Sequence, residues 1–236
     1  MRKRLAATAL LLALTLVGCG KDPAPAPVVP IDSCVTEDEQ RENGVSVPVP
    51  GSSETVDGLI YGSGTTAVIF ANQVNWTLCG WEPYPKYFST KGYLTATFNY
   101  SYTSESDEDV LAFVDEVRRR GATTVFLLGA SKGGTAVLSA GAKADPPVDG
   151  VISLSGPASY ERISATAVMA GYPVPVLFMA ARDDRPFAGD AQTLYDACTQ
   201  TDKDLLIQYG SSHGRDLLDD QGMAAVDGFL ASHSRS

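Results

Sequence analysis

Residues Gly129-Ala130-Ser131-Lys132-Gly133 set one serine between glycines, where an apolar run ends and a pattern of small residues begins. A serine hydroxyl is a poor nucleophile at neutral pH unless a base takes its proton. The chain has 2 histidines to offer. His213 lies in Tyr209-Gly210-Ser211-Ser212-His213-Gly214, between the last strand pattern and the C-terminal helix pattern. His233 stands close to the chain end, where fraying and exposure are expected. His213 is therefore the candidate base. An imidazole that accepts a proton needs a carboxylate to orient it and to stabilise its charge. Asp183 and Asp184 follow directly on the apolar run 174–181. Their side chains point differently, so one can face the imidazole while the other serves a turn or salt bridge. Asp184 is the preferred acid and Asp183 the alternative. Such a trio attacks acyl carbon: the serine adds, the histidine moves the proton, and the backbone N–H of Lys132 meets the oxyanion.

These residues are useful only if the chain brings them to one place. Strand patterns occur at 45–50, 55–62, 66–72, 93–100, 124–130, 150–156, 174–181 and 204–210. Several are apolar throughout, as expected of strands covered on both faces. Between them, 108–121, 132–144, 188–200 and 215–233 carry helical signals. In the first, Val110, Leu111, Val114 and Val117 share a face, and basic residues and a glycine end it. A short hairpin-like start followed by strand–helix alternation predicts an α/β fold with a mostly parallel central sheet flanked by helices. Residues 157–173 read as a short cap. Ser131, Asp184 and His213 each follow the end of a strand pattern, and in a parallel sheet those ends share one edge.

On these residues the stretch from about 45 to 232 resembles the α/β-hydrolase superfamily, in particular its small dienelactone-hydrolase-like and esterase-like members. Gly129-Ala130-Ser131-Lys132-Gly133-Gly134 is similar to the nucleophile turn, Val174 to Phe187 to the strand and acid loop, and Ser211 to Gly214 to the histidine loop. Placing Ala181 where the family has a glycine puts the acid at Asp184. The resemblance implies a Ser131–His213–Asp184 triad and an ester-type small-molecule substrate, with no metal or organic cofactor. It also implies an oxyanion hole from the N–H groups of Lys132 and Gln73, or Val74 beside it. Asn72-Gln73 stands where many members have His-Gly, and 99–106 has its own sequence in place of the usual loop after the fourth strand. Trp76, Trp81 and Tyr84 fall in or just past the oxyanion loop, either as pocket walls or as packing. A silent binding protein on the same scaffold, or a thioesterase, peptidase or acyltransferase, would carry the same signals.

The ends and the composition set the compartment. Arg2, Lys3 and Arg4 precede an apolar run from Leu5 to Val17, too short for a comfortable membrane span. The run closes in Leu16-Val17-Gly18-Cys19, which resembles a bacterial lipoprotein signal over 1–18 with lipidation of Cys19. Residues 19–30 then form a Pro/Ala-rich tether ahead of a domain over 31–236. The expected setting is the bacterial cell envelope, exported and held to the bilayer through Cys19. The net charge is −10, and loss of the three basic residues takes 18 cations to 15 against 28 acids, a net of −13. That acidity argues against nucleic acid or anionic lipid as a direct partner. Cys34, Cys79 and Cys198 allow one disulfide or none, with three pairings open.

Overall fold

The computed structural model describes residues 28–234; the expected signal, Cys19 and most of the tether lie outside them. Helix α1 (Glu37–Asn43) leads into β1 (Gly44–Pro48), β2 (Thr55–Tyr61) and β3 (Thr66–Ala71). Then come α2 (Tyr84–Thr90), β4 (Leu94–Phe98), α3 (Ser106–Arg119), β5 (Thr124–Ala130) and α4 (Lys132–Lys143). After β6 (Gly150–Leu154), a small antiparallel pair, β7 (Ser159–Tyr160) and β8 (Ile163–Ser164), and α5 (Thr166–Met169) form the expected cap. The chain closes with β9 (Val176–Ala181), α6 (Phe187–Ala197), β10 (Lys203–Gln208) and α7 (Asp220–His233).

Eight of these strands make one sheet in the order β1-β2-β4-β3-β5-β6-β9-β10. β1 with β2 and β2 with β4 pair antiparallel; the remaining pairs are parallel. The apolar strand runs are explained by a sheet with two covered faces. Ala67, Ile69 and Ala71 of β3 join Val125 and Leu127 of β5 in the core shared with α3, α4 and α6. The alternate residues, Val68 and Phe70 with Phe126 and Leu128, pack with Phe88 of α2 and with Val226 and Leu230 of α7. A period of two therefore survives in position while vanishing in polarity.

Most expected elements are present, with ends moved by a few residues. The C-terminal helix pattern at 215–233 divides: a 3-10 turn spans Gly214–Leu217, and α7 starts only after Asp219, which accepts from the Gly222 N–H at 2.9 Å. α1 has no apolar stripe to betray it. Its sequence is EDEQREN, and it is held by the Thr36 hydroxyl accepting from the Glu39 N–H at 3.2 Å.

Of the three open cysteine pairings, Cys34–Cys79 is the one formed, and Cys198 is buried and free. The bridge sits beside a small cluster of Val35, Leu59, Tyr61 and Leu78, and it ties the segment before α1 to the loop after β3. Closing a loop of 45 residues stabilises by about 4 kcal/mol in the chain-entropy account. The Cys34→Ser/Cys79→Ser variant should keep its far-ultraviolet dichroism and lose roughly 10 °C of thermal midpoint. An unchanged midpoint would show that the apolar cluster holds this corner unaided.

Candidate active site

Ser131 joins β5 to α4 with φ 51° and ψ −118°, a backbone region that costs a residue other than glycine on the order of 1–3 kcal/mol. Its neighbours explain why the chain accepts this. A Cβ on Gly133 would stand 2.1 Å from the Ala71 carbonyl oxygen at the end of β3. A Cβ on Gly129 would stand 2.1 Å from the Gly133 carbonyl oxygen. Strand, helix and the neighbouring strand end thus meet without room for side chains, and the turn between them is sharp. The Ser131 N–H is spent on the Leu154 carbonyl at 2.8 Å.

Asp184 and His213 are brought together: His213 Nδ1 lies 2.9 Å from Asp184 Oδ2. With Nδ1–H donating to the carboxylate, the neutral ring keeps the lone pair of Nε2 for a proton. The alternative acid is elsewhere. Asp183 is exposed and paired with Arg182 at 3.2 Å, and that bond holds its carboxyl below the usual range. Sequence reasoning missed Ser155. Its hydroxyl donates to the same Asp184 Oδ2 at 2.8 Å and accepts from the Gly214 N–H at 3.0 Å. Its φ is 49°. The signal available was its position directly after β6, at the sheet edge shared by the trio.

Among the described residues, no hydrogen bond joins Ser131 to His213. Their elements nevertheless touch: Leu154 takes the Ser131 N–H, Ser155 takes the Gly214 N–H, and a Cβ on Gly214 would lie 3.3 Å from the Ala130 Cβ. His233 is not frayed as expected. It ends α7 with Nε2 3.0 Å from Asp202 and its ring 4.4 Å from Phe229. Asp202 precedes β10, so His233 sits at the opposite edge of the sheet.

The turn after β3 is anchored from three sides. Asn72 donates from Nδ2 to the Phe98 carbonyl, and Tyr100 donates its hydroxyl to the Asn72 carbonyl at 3.2 Å. Gln73 Oε1 accepts from the Arg215 N–H at 2.8 Å, two residues beyond His213. The Arg215 guanidinium donates to the Gly80 carbonyl at 2.7 Å and lies 5.0 Å from the Trp76 ring. Arg215, unremarked in the sequence, therefore fastens the histidine loop to this turn. Among the described residues, the backbone N–H groups of Gln73 and Lys132 have no acceptor. Of the three aromatic residues in question, Trp76 is 38% exposed and lines a pocket of about 400 Å³ with Gln73, Val74, Tyr100 and Lys132. Trp81 and Tyr84 are packing: Trp81 is buried against Phe70, and Tyr84 donates to the Leu218 carbonyl at 3.2 Å.

No family model matches this chain, and no curated protein does. Solved structures do. A dienelactone hydrolase from Anabaena variabilis is similar at 20% identity and a TM-score of 0.65, covering 81% of this chain and 97% of that one. The esterase Pf2001 of Pyrococcus furiosus covers 89% and 98% at 14% identity and a TM-score of 0.68. Est1E from Butyrivibrio proteoclasticus covers 80% and 97% at 13% identity and a TM-score of 0.63.

The fold is that of the α/β hydrolases. In that fold a glycine-flanked turn from strand to helix exposes a side chain above the sheet, and 129–133 is the matching turn here. The α/β-hydrolase frame makes a steric prediction at this point. Gly133→Ala should cost about 1–3 kcal/mol in urea unfolding, because backbone must move to admit the methyl group. Gly189→Ala in α6, where nothing lies within 4 Å of the added carbon, should leave stability unchanged or raise it by up to ~1 kcal/mol. Equal effects at the two sites would contradict the crowding.

Proposed function

We propose that this protein is a serine hydrolase of carboxylic esters, working through Ser131, His213 and Asp184. The observation that carries the reading is the His213–Asp184 pair at 2.9 Å, set at the same sheet edge as a strained Ser131. His213 Nε2 takes the hydroxyl proton as Ser131 Oγ attacks the ester carbonyl carbon. The oxyanion of the tetrahedral intermediate accepts from the N–H groups of Gln73 and Lys132, which no protein acceptor occupies among the described residues. Collapse breaks the bond to the alkoxy oxygen, and the imidazolium gives that oxygen its proton. A water then loses a proton to His213 and adds to the acyl carbon; collapse releases the acid and returns the proton to Ser131. Asp184 keeps the ring in its working tautomer, and Ser155 holds Asp184. His213 carries every proton in this scheme, first from Ser131 to the alkoxy oxygen and then from water to Ser131.

The small cap supports an open site for small or exposed esters. The proposal for the N-terminus is export to a bacterial cell envelope and anchoring to the bilayer through acylated Cys19. Within the described residues no helix is long and apolar enough to cross a membrane.

Kinetics on p-nitrophenyl acetate separate the assignments. Ser131→Ala should lose about 10⁴-fold or more in kcat, and Asp184→Asn about 10⁴-fold through the wrong tautomer. Asp183→Asn should stay within a few-fold of wild type, its partner being the exposed Arg182. Loss of turnover in Asp183→Asn with retention in Asp184→Asn would reverse the choice of acid.

A further inference from the structure

The pocket beside the nucleophile turn carries a charge that the proposed mechanism leaves idle. Lys132 contributes its backbone N–H to the scheme above, while its side chain runs into the pocket of about 400 Å³ formed with the Gln73 turn and the 99–102 loop. Among the described residues lining that pocket, Lys132 is the single cation and none is a carboxylate. This is unusual for a chain with 28 acidic residues against 18 basic ones.

The ammonium is positioned without being neutralised. It lies 4.3 Å from the Tyr100 ring centroid and 5.8 Å from that of Tyr160 in the cap. Among the described residues no carboxylate stands within ion-pair distance of it. The acid that feels its charge is Asp109, whose carboxyl is pushed up by burial. Asp109 is already engaged: one oxygen accepts from the Ser101 N–H at 2.9 Å and the other from the Ser104 hydroxyl. Aromatic faces hold a cation while leaving its N–H donors free for an anion. Arg215, on Trp76 beside the pocket wall, is paired with Asp216 at 3.2 Å, which leaves Lys132 as the pocket's cation.

The geometry points to Lys132 as a specificity-determining residue that selects esters carrying an anionic group, carboxylate or phosphate, on the part of the substrate that fills this pocket. This rests on the hydrolase reading above. A charge-assisted hydrogen bond in a half-buried pocket discriminates against a neutral isostere by roughly tenfold or more.

The test uses matched p-nitrophenyl esters: the hemiester of glutaric acid, its neutral methyl ester, and an analogue ending in phosphate. For the wild type, kcat/KM should favour an anionic ester over the neutral one by about tenfold at low salt, and the ratio should shrink as salt is added. Lys132→Gln should bring that ratio near one, and Lys132→Arg should preserve it. Whichever anionic ester has the larger ratio identifies the anion the pocket fits. Turnover of the neutral ester with no anionic preference in wild type, or a preference untouched in Lys132→Gln, overturns the inference and leaves the hydrolase reading intact. No turnover of any ester by wild type would instead remove the reading on which it rests.

Discussion

Three stretches of backbone meet at the carboxyl edge of the sheet more closely than a β-carbon permits. The end of β3, the end of β5 and the first turn of α4 converge on Gly129 and Gly133, and each glycine lies against a carbonyl oxygen that a methyl group would strike. The rest of the site depends on this crowding. It forces the turn at Ser131 into a positive φ, and it sets the start of α4 against the Gln73 turn. The two backbone N–H groups proposed for the oxyanion belong to those two neighbouring segments. A looser junction would relax the serine and separate the donors at once.

Around this junction the polar contacts form a chain rather than a set of separate pairs. Leu154 and Ser155 at the end of β6 receive N–H groups from Ser131 and from Gly214. Ser155 passes on to Asp184, Asp184 to His213, and Arg215 ties the histidine loop back to Gln73. Five strand ends thus share one bonded circuit. The Cys34–Cys79 bridge braces the same loop from the outside. The sheet aligns these loops, and the proposed chemistry falls on the loops.

Much of this was legible because two simple signals coincide. Apolar runs covered on both faces announced a parallel sheet, and residue types with a limited inventory of partners fell at its strand ends. His213 stood out because its one rival, His233, lies at the chain end. What stayed hidden has physical causes. α1 is polar on every side and is specified by a cap rather than by a stripe. Ser155 and Arg215 are common residue types whose importance comes from contacts across 29 to 142 positions of sequence. No local pattern reports such contacts. The cysteine pairing needed the fold, since three residues allow three bridges. Asp184 is preferred over Asp183 before any family is named, the alignment of Ala181 with a glycine of the resembled family agrees, and the structure puts Asp184 against the imidazole and Asp183 against Arg182.

A Ser131 hydroxyl activated at this edge is open to covalent trapping. The protein treated with an alkyl fluorophosphonate should gain the mass of one phosphonyl group with loss of fluoride, and peptide mapping should place that group on Ser131. An unmodified protein, or an adduct on Ser155 or another residue with Ser131 untouched, would contradict the account.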